Sequence, residues 1–318
     1  MNSNIPSSFS RRRFVYTAGL ATAAAYLSPN RSLASYVGPV PFIREAAVTA
    51  KITVAKLRGE ISLLEGSGGN IAVLPGRDGK LLVDAGIPGT RQGVSEALAG
   101  LSDDPIRHLI NTHWHFDHTD GNEWLHAEGA EITAHEKTLA HLSAETRVEA
   151  WKFTFPPAPV GARPTTTFTD ELRLELNGRT VALKHYAPGH TDSDLSVDFT
   201  DLDVVHVGDT WWNGHYPFID YSTGGSIDGA IRAAEANVAR ATEETIFIPG
   251  HGPVGKKSQL VEFRDILLDV REKVARLKKQ GRTLDQTIEA KPTADYDAKW
   301  GQWVINPKTF TALVYAGV

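Results

Sequence analysis

The run Thr112-His113-Trp114-His115-Phe116-Asp117-His118 constrains this chain more than any other segment, because it gathers three imidazoles and a carboxylate immediately behind the apolar stretch Ile106 to Ile110. Imidazole with carboxylate suits zinc or iron better than calcium, which takes oxygen alone, or copper(I), which takes sulfur. The chain supplies no cysteine at all. In an extended segment residues two apart face the same way, so His113 and His115 can grip one ion while Trp114 points elsewhere. Once the backbone turns, Asp117 and His118 can project toward a neighbouring ion. Four ligands are too many for one zinc that keeps an open position, which predicts two ions.

Two ions need further ligands, and three candidates stand in turns after β-rich runs: His190 in Pro188-Gly189-His190-Thr191, Asp209 in Val207-Gly208-Asp209-Thr210, and His251 in Pro249-Gly250-His251-Gly252. A glycine beside each ligand lets the backbone approach a crowded centre. Ligands at strand ends of an alternating α/β chain fall on one rim of its sheets, where sites form.

The elements follow from periodicity. Short β-rich runs at Ile52 to Leu57, Ile61 to Leu64, Ile71 to Leu74 and Lys80 to Val83 predict an antiparallel meander. Val94, Leu98 and Leu101 give the stretch Thr90 to Leu101 a helical spacing. Buried strands are expected at Ile106 to Ile110 and Ile132 to Ala134. Leu172 to Leu176, Asn177-Gly178 and Thr180 to Leu183 read as a hairpin. Strands follow at Leu195 to Phe199, Val204 to Val207 and Thr245 to Ile248, with a helix capped by Ser226 between the last two. Residues 151–170 carry Trp151, Phe153 and Phe155 before four prolines, which predicts an irregular segment with exposed aromatic groups, acting as a lid or pinned to the core. After His251 comes a long helix with the stripe Leu260, Phe263, Leu267, Val270, Val274 and Leu277, ended by Gly281.

On these residues the chain resembles the metallo-β-lactamase superfamily. The family's histidine-x-histidine-x-aspartate-histidine motif is met at His113, His115, Asp117 and His118, its later histidines at His190 and His251, and its bridging aspartate at Asp209. The resemblance implies an α/β fold, a four-layer αββα sandwich of two mixed sheets flanked by helices, here with a C-terminal helical extension. It implies that His113, His115 and His190 hold one metal, that Asp117, His118 and His251 hold the other, and that Asp209 bridges both. Asp84 matches the family's early aspartate, which supports a ligand from behind. The organisation expected is a signal segment at 1–34, a metallo-β-lactamase-like domain at 48–255 and a helical extension at 256–318 packed on the core. His108, His126, His135, His141, His185 and His206 lack this context and read as surface or packing residues.

The first residues have their own pattern. Ser10-Arg11-Arg12-Arg13 precedes the uncharged run Thr17 to Leu27, and Ser32-Leu33-Ala34 offers a small-x-small cleavage site. The layout is that of a signal peptide, and Arg11-Arg12 resembles a twin-arginine export signal. Export machinery of that type is then a partner, and the destination is periplasmic or secreted. Cleavage would remove four of the 33 Lys and Arg and none of the 38 acids, leaving 29 against 38, an acidic product. That balance excludes nucleic acid as a partner class, and no apolar run in the body of the chain reaches membrane-spanning length. With no disulfide available, a large core and bound metal carry the stability.

The expected function is a dinuclear zinc hydrolase acting on a small molecule, with iron or manganese as other occupants. A metal-bridging hydroxide attacks an ester, lactone, thioester or amide carbonyl, Asp117 and Asp209 being the catalytic carboxylates. The superfamily also contains β-lactamases and mononuclear iron persulfide dioxygenases, so both remain as alternatives. Trp114, Phe116, Trp151, Trp211, Trp212, His215 and Tyr216 are the residues nearest the ligands in sequence, and all but Trp151 are the candidates for the substrate pocket.

Overall fold

In the computed structural model, which describes residues 38–318, two mixed sheets are built from strands whose side chains alternate between two apolar layers. The signal segment expected over 1–34 lies outside the described residues. After a short helix α1 (Val40–Ala47), the first sheet takes β1 (Thr53–Lys56), β2 (Ser62–Glu65), β3 (Ile71–Leu74), β4 (Lys80–Val83), β5 (Ile106–Ile110), β6 (Glu131–His135) and β9 (Thr166–Phe168) in that spatial order. β1 to β4 pair antiparallel as a meander, and β4, β5, β6 and β9 run parallel. The second sheet is β10 (Glu171–Leu176), β11 (Arg179–His185), β12 (Leu195–Phe199), β13 (Val204–His206) and β14 (Ile246–Ile248). Its first four strands are antiparallel and β13 pairs parallel with β14. The β10–β11 turn puts both Asn177 (φ 55) and Gly178 (φ 68) in the left-handed region that a two-residue hairpin turn requires.

Three apolar clusters define four layers. Leu63, Ala72, Leu74, Leu81, Val83 and Ile110 of the first sheet meet Val181, Leu183, Val197, Val204 and Ile248 of the second, forming the filling between the sheets. The alternate residues Leu64, Ile71, Val73, Leu82 and Leu109 face the other way. There they pack on Val94 and Leu98 of α2 (Arg91–Leu101) and on Trp124 and Leu125 of α4 (Asn122–Ala127), which follows the one-turn α3 (Phe116–Thr119). The outer face of the second sheet, through Val205 and Phe247, packs on α6 (Ile227–Arg240) and α7 (Lys257–Lys279); α5 (Glu136–Ser143) follows β6 in the chain and precedes the strand pair β7 (Thr146–Val148) and β8 (Phe153–Phe155). A one-residue slip in any of the central strands would send every side chain into the opposite apolar layer and undo its packing there, so the register is strongly fixed.

The second helical layer is completed by α8 (Leu284–Glu289), α9 (Asp297–Trp300) and α10 (Pro307–Gly317). The α7 stripe is buried from Leu260 to Val274, with Leu277 half-buried at its end. Trp300 stacks near Phe263 at 5.9 Å between ring centres, and Phe310 lies 4.5 Å from Tyr216. No helix among the described residues is long and apolar enough to cross a membrane.

Residues 151–170 differ from the expectation of an irregular segment with exposed aromatics. Strand β7 (Thr146–Val148) pairs antiparallel with β8 (Phe153–Phe155), and β9 joins the first sheet. Phe155 is buried and Trp151 and Phe153 are half-buried against the large core cluster. Ring burial outweighs the local disorder that the prolines suggest, since aromatic side chains remove large apolar areas from water.

Candidate metal centre

Parallel strands deliver the site. β5, β13 and β14 all end at the same edge of the double sheet, and the chain leaving each one carries donor residues. After β5 the backbone bends over Thr112 to Trp114, and His115 caps α3, which carries Asp117 and His118. Reciprocal hydrogen bonds between the Asn111 and Asn122 amides, at 3.0 and 2.9 Å, tie the two ends of this turn together. Past β11, the Asp194 carboxylate accepts from the backbone N–H of His190 (2.7 Å) and of Thr191, clamping the loop that presents the His190 ring. Asp209 follows β13 and His251 follows β14.

Seven side chains from four separate loops converge. His113, His115, His190 and Asp209 form one group, Asp117, His118 and His251 a second, and the donor atoms within each group lie within 4.8 Å of one another. In the first, His190 Nε2 sits 2.8 Å from His115 Nδ1, and Asp209 Oδ2 sits 3.4 Å from His190 Nε2 and 3.9 Å from His113 Nε2. In the second, His251 Nε2 is 3.2 Å from Asp117 Oδ2, and His118 Nε2 is 3.8 Å from the same oxygen. Asp209 faces both groups, with Oδ1 3.1 Å from His118 Nε2 and Oδ2 3.3 Å from His251 Nε2. Only Asp117 meets solvent appreciably, its side chain being 15% exposed.

Each imidazole but one is held from behind. Asp84 Oδ2 accepts from His118 Nδ1 at 2.7 Å and from the Thr112 hydroxyl at 2.8 Å, and that hydroxyl stands 3.0 Å from His113 Nδ1. The His190 Nδ1 proton goes to the Phe218 carbonyl at 2.8 Å. His115 Nε2 points at Asp220 Oδ2, 3.1 Å away. Such outer partners fix ring orientation and raise donor basicity. Asp220 escaped the sequence reading, because a lone aspartate more than 100 positions from His115 has no local pattern; its place after the apolar run Phe218-Ile219 is the only signal.

The charges inside are finely opposed. Burial drives the His113 and His115 rings toward the neutral form, neighbouring imidazoles adding to the effect. For His118 burial acts in the same direction, but the carboxylates of Asp209, Asp84 and Asp117 overcome it and lift the ring well above the ordinary histidine value. His251 is raised to about 9 against its burial, by Asp209 and Asp117. Burial penalises the Asp209 carboxylate as well, yet His251, His118 and His190 hold it well below the usual range.

The donor set fits bound metal. His113 Nε2, His118 Nε2 and Asp209 Oδ1 are buried and have no hydrogen-bond partner within the protein, a costly condition that metal ligation would relieve. The backbone is shaped to the same cluster. A Cβ on Gly250 would stand 1.8 Å from Asp209 Oδ1, and one on Gly69 2.2 Å from His118 Cε1.

The pocket residues expected from sequence divide. Trp114, Phe116, Trp211 and Tyr216 are buried in the large core cluster. Trp114 donates to the Thr223 hydroxyl at 3.2 Å and packs edge-on against the His115 ring at 4.8 Å, and the Tyr216 hydroxyl donates to Asp297 at 2.9 Å. Trp212, buried in the same cluster, and the half-buried His215 flank the second group. Trp212 lies 4.6 Å from the His251 ring, and both Trp212 and His215 pack on Trp303, at 5.2 and 4.7 Å. Trp151, 4.8 Å from His115 and stacked on Phe218 at 4.7 Å, flanks the first.

Comparison with known proteins gives a match of residues 64–254 to the Metallo-beta-lactamase superfamily model. A hydroxyacylglutathione hydrolase of Polaromonas sp. is 27% identical over 150 residues, 46% of this chain and 48% of that protein. A linear primary-alkylsulfatase of Pseudomonas sp. is 23% identical over 253 residues, 67% of this chain and 48% of that protein. The chain thus spans about half the length of the curated relatives it matches. Among solved structures, a stereoselective inverting sec-alkylsulfatase from Pseudomonas sp. superposes with a TM-score of 0.65 at 14% identity, covering 86% of this chain and 51% of that one.

Proposed function

The chain belongs to the metallo-β-lactamase superfamily, and from that premise we propose that it is a metal-dependent hydrolase of a small molecule, working with two zinc ions on an ester, lactone, thioester or amide carbonyl. One observation carries the reading: seven donors in two groups share Asp209, whose Oδ1 faces His118 of the second group while its Oδ2 lies 3.3 Å from His251 of the second and 3.4 Å from His190 of the first. His113, His115 and His190 would hold one ion, Asp117, His118 and His251 the other, and Asp209 would join them. When bound, such a pair supplies Lewis acidity and water whose pKa is lowered to about 7.

The protein's own residues do the rest. Asp117, the cluster member open to solvent, is positioned to accept a proton from attacking water and return it to the leaving group. Asp209 keeps the two groups at a fixed spacing. Asp84 and Asp220 hold the His118 and His115 rings, so their inward nitrogens are ready before substrate arrives. A single-iron oxygenase would leave His118 and His251 without a task, whereas both nitrogens lie within 3.3 Å of Asp209.

Alkyl sulfate cleavage is the second reading, favoured by the longer stretch of sequence likeness to the alkylsulfatase. The same proposal includes export, resting on the twin-arginine-like pattern at Arg11-Arg12.

The test is metal analysis of the purified protein with a hydrolysis screen of neutral esters, lactones, thioesters, β-lactams and alkyl sulfates. Two zinc per chain and turnover of a carbonyl substrate are expected. Turnover of alkyl sulfates alone would select the second reading, β-lactams alone would make the protein a β-lactamase, and one iron with oxygen uptake would overturn hydrolysis.

A further inference from the structure

Trp303 belongs to the helical extension, more than 50 residues beyond the last donor, yet its ring centre lies 5.2 Å from that of His251. It is half-buried, in the tight connection between α9 and α10. That connection is anchored from both sides. Tyr216 donates its backbone N–H to the Trp300 carbonyl at 3.0 Å and its hydroxyl to Asp297, and Phe310 stacks on the Tyr216 ring. Trp300 itself is buried against Phe263. Trp303 therefore projects from a rigid support, and with Trp212 and His215 it forms an aromatic wall beside the second donor group. The first group has a wall of its own in Trp151 and Phe218.

We infer that Trp303 is a specificity-determining residue and that this wall selects substrates in which one flank of the scissile bond is uncharged and aromatic or long-chain apolar. The inference rests on the hydrolase reading above and deepens it. Three features point the same way. The wall is made of ring faces and edges, which gain most from flat or apolar partners. Among the described residues no Lys or Arg bonds to the donors or forms a cation–π contact with Trp212, His215 or Trp303, so these offer an anionic flank no counter-charge there. Entry is on the same side, because Asp117, the exposed donor, pairs with His251, the ligand that Trp303 covers. A hydrophobic subsite of this kind discriminates by about 10- to 200-fold per added group.

The experiment uses the zinc-loaded full chain and its Trp303→Ala and Trp303→Phe variants. Hydrolysis is compared for 4-nitrophenyl acetate, phenylacetate, octanoate and the anionic hemisuccinate, with KM and kcat taken separately. Calorimetric titration with phenylacetate and with acetate gives a readout free of turnover. Wild-type protein is expected to favour the phenylacetyl and octanoyl esters over both others. In Trp303→Ala that preference should fall about tenfold, mainly through KM, and phenylacetate should bind about tenfold more weakly; Trp303→Phe should recover most of both. A preference unchanged in Trp303→Ala, with hydrolysis intact, overturns the inference and leaves the hydrolase reading standing. Turnover of none of these esters, with phenylacetate bound no more tightly than acetate, removes the inference, and the lactone and thioester arms of the wider screen then decide the hydrolase reading.

Discussion

Asp84 Oδ2 lies 2.7 Å from His118 Nδ1, with neither side chain exposed to solvent. The same carboxylate takes the Thr112 hydroxyl and, through Oδ1, the Thr112 backbone N–H at 2.7 Å, so one buried acid fixes the whole histidine-bearing turn. Asp84 adopts φ 68, a left-handed conformation that Asn shares readily and most residues do not. Asp84→Asn therefore keeps the backbone and changes the chemistry. An amide has one acceptor oxygen where three donors now converge, and metal affinity is expected to fall about 10- to 100-fold. Competition with a chromophoric chelator measures it; unchanged affinity would show that the carboxylate orients nothing.

His251→Ala removes one donor of the second group and leaves the first intact. Metal content is expected to drop from about two ions per chain to about one, with kcat falling at least about a hundredfold. Elemental mass spectrometry on the folded variant decides it, and full loading would contradict the division into two groups.

Stripping the metal should destabilise the fold, because buried donors are then left unpaired. An ion present at about a hundred times its Kd stabilises by about 2.7 kcal/mol. For a chain of this size that corresponds to a fall in Tm of roughly 5 °C or more on chelation. Differential scanning calorimetry with and without chelator and re-added zinc gives the value.

The stacked rings of His135 and His185, 3.8 Å apart with an 8° interplanar angle, set a pH dependence away from the metal donors. Burial, then the neighbouring His185, lowers the His135 pKa below its ordinary 6.5. The folded protein thus binds fewer protons here than the unfolded chain. The resulting stability is present above about pH 6.5 and is lost as pH falls toward the folded value, by at most about 1.4 kcal/mol per pH unit. His185→Phe keeps the stack and removes the second imidazole. Its denaturation midpoint should fall less between pH 7.5 and 5.5 than that of the wild type; parallel slopes would show no coupling.

Two glycines should respond in opposite ways. Gly250→Ala drives a Cβ into Asp209 Oδ1 and to 2.8 Å from the Gly208 carbonyl carbon, backbone that cannot yield, so metal binding is expected to be lost. Gly100, in the exposed part of α2, has nothing within 4 Å of a Cβ, and Gly100→Ala should stabilise by about 0.5–1 kcal/mol. Chemical denaturation and metal titration of the two variants make the comparison.

The amino-acid sequence determined what short-range rules govern. Short apolar runs between turn residues set the meander and the buried strands, Asn177-Gly178 set its hairpin, Ser226 capped α6 through the Gly229 N–H at 3.0 Å, and the seven donors announced themselves by spacing and by their glycine-flanked turns. Tertiary structure decided which aromatics face the donors. Trp211 and Trp212 are adjacent in sequence and both buried, yet only the Trp212 ring lies against His251. Asp220 reaches His115, and Trp303 reaches His251, only because strands end at a common edge and the extension folds back over it. Side-chain direction in a loop follows from what packs around it, and partners far apart in the chain leave no periodic trace.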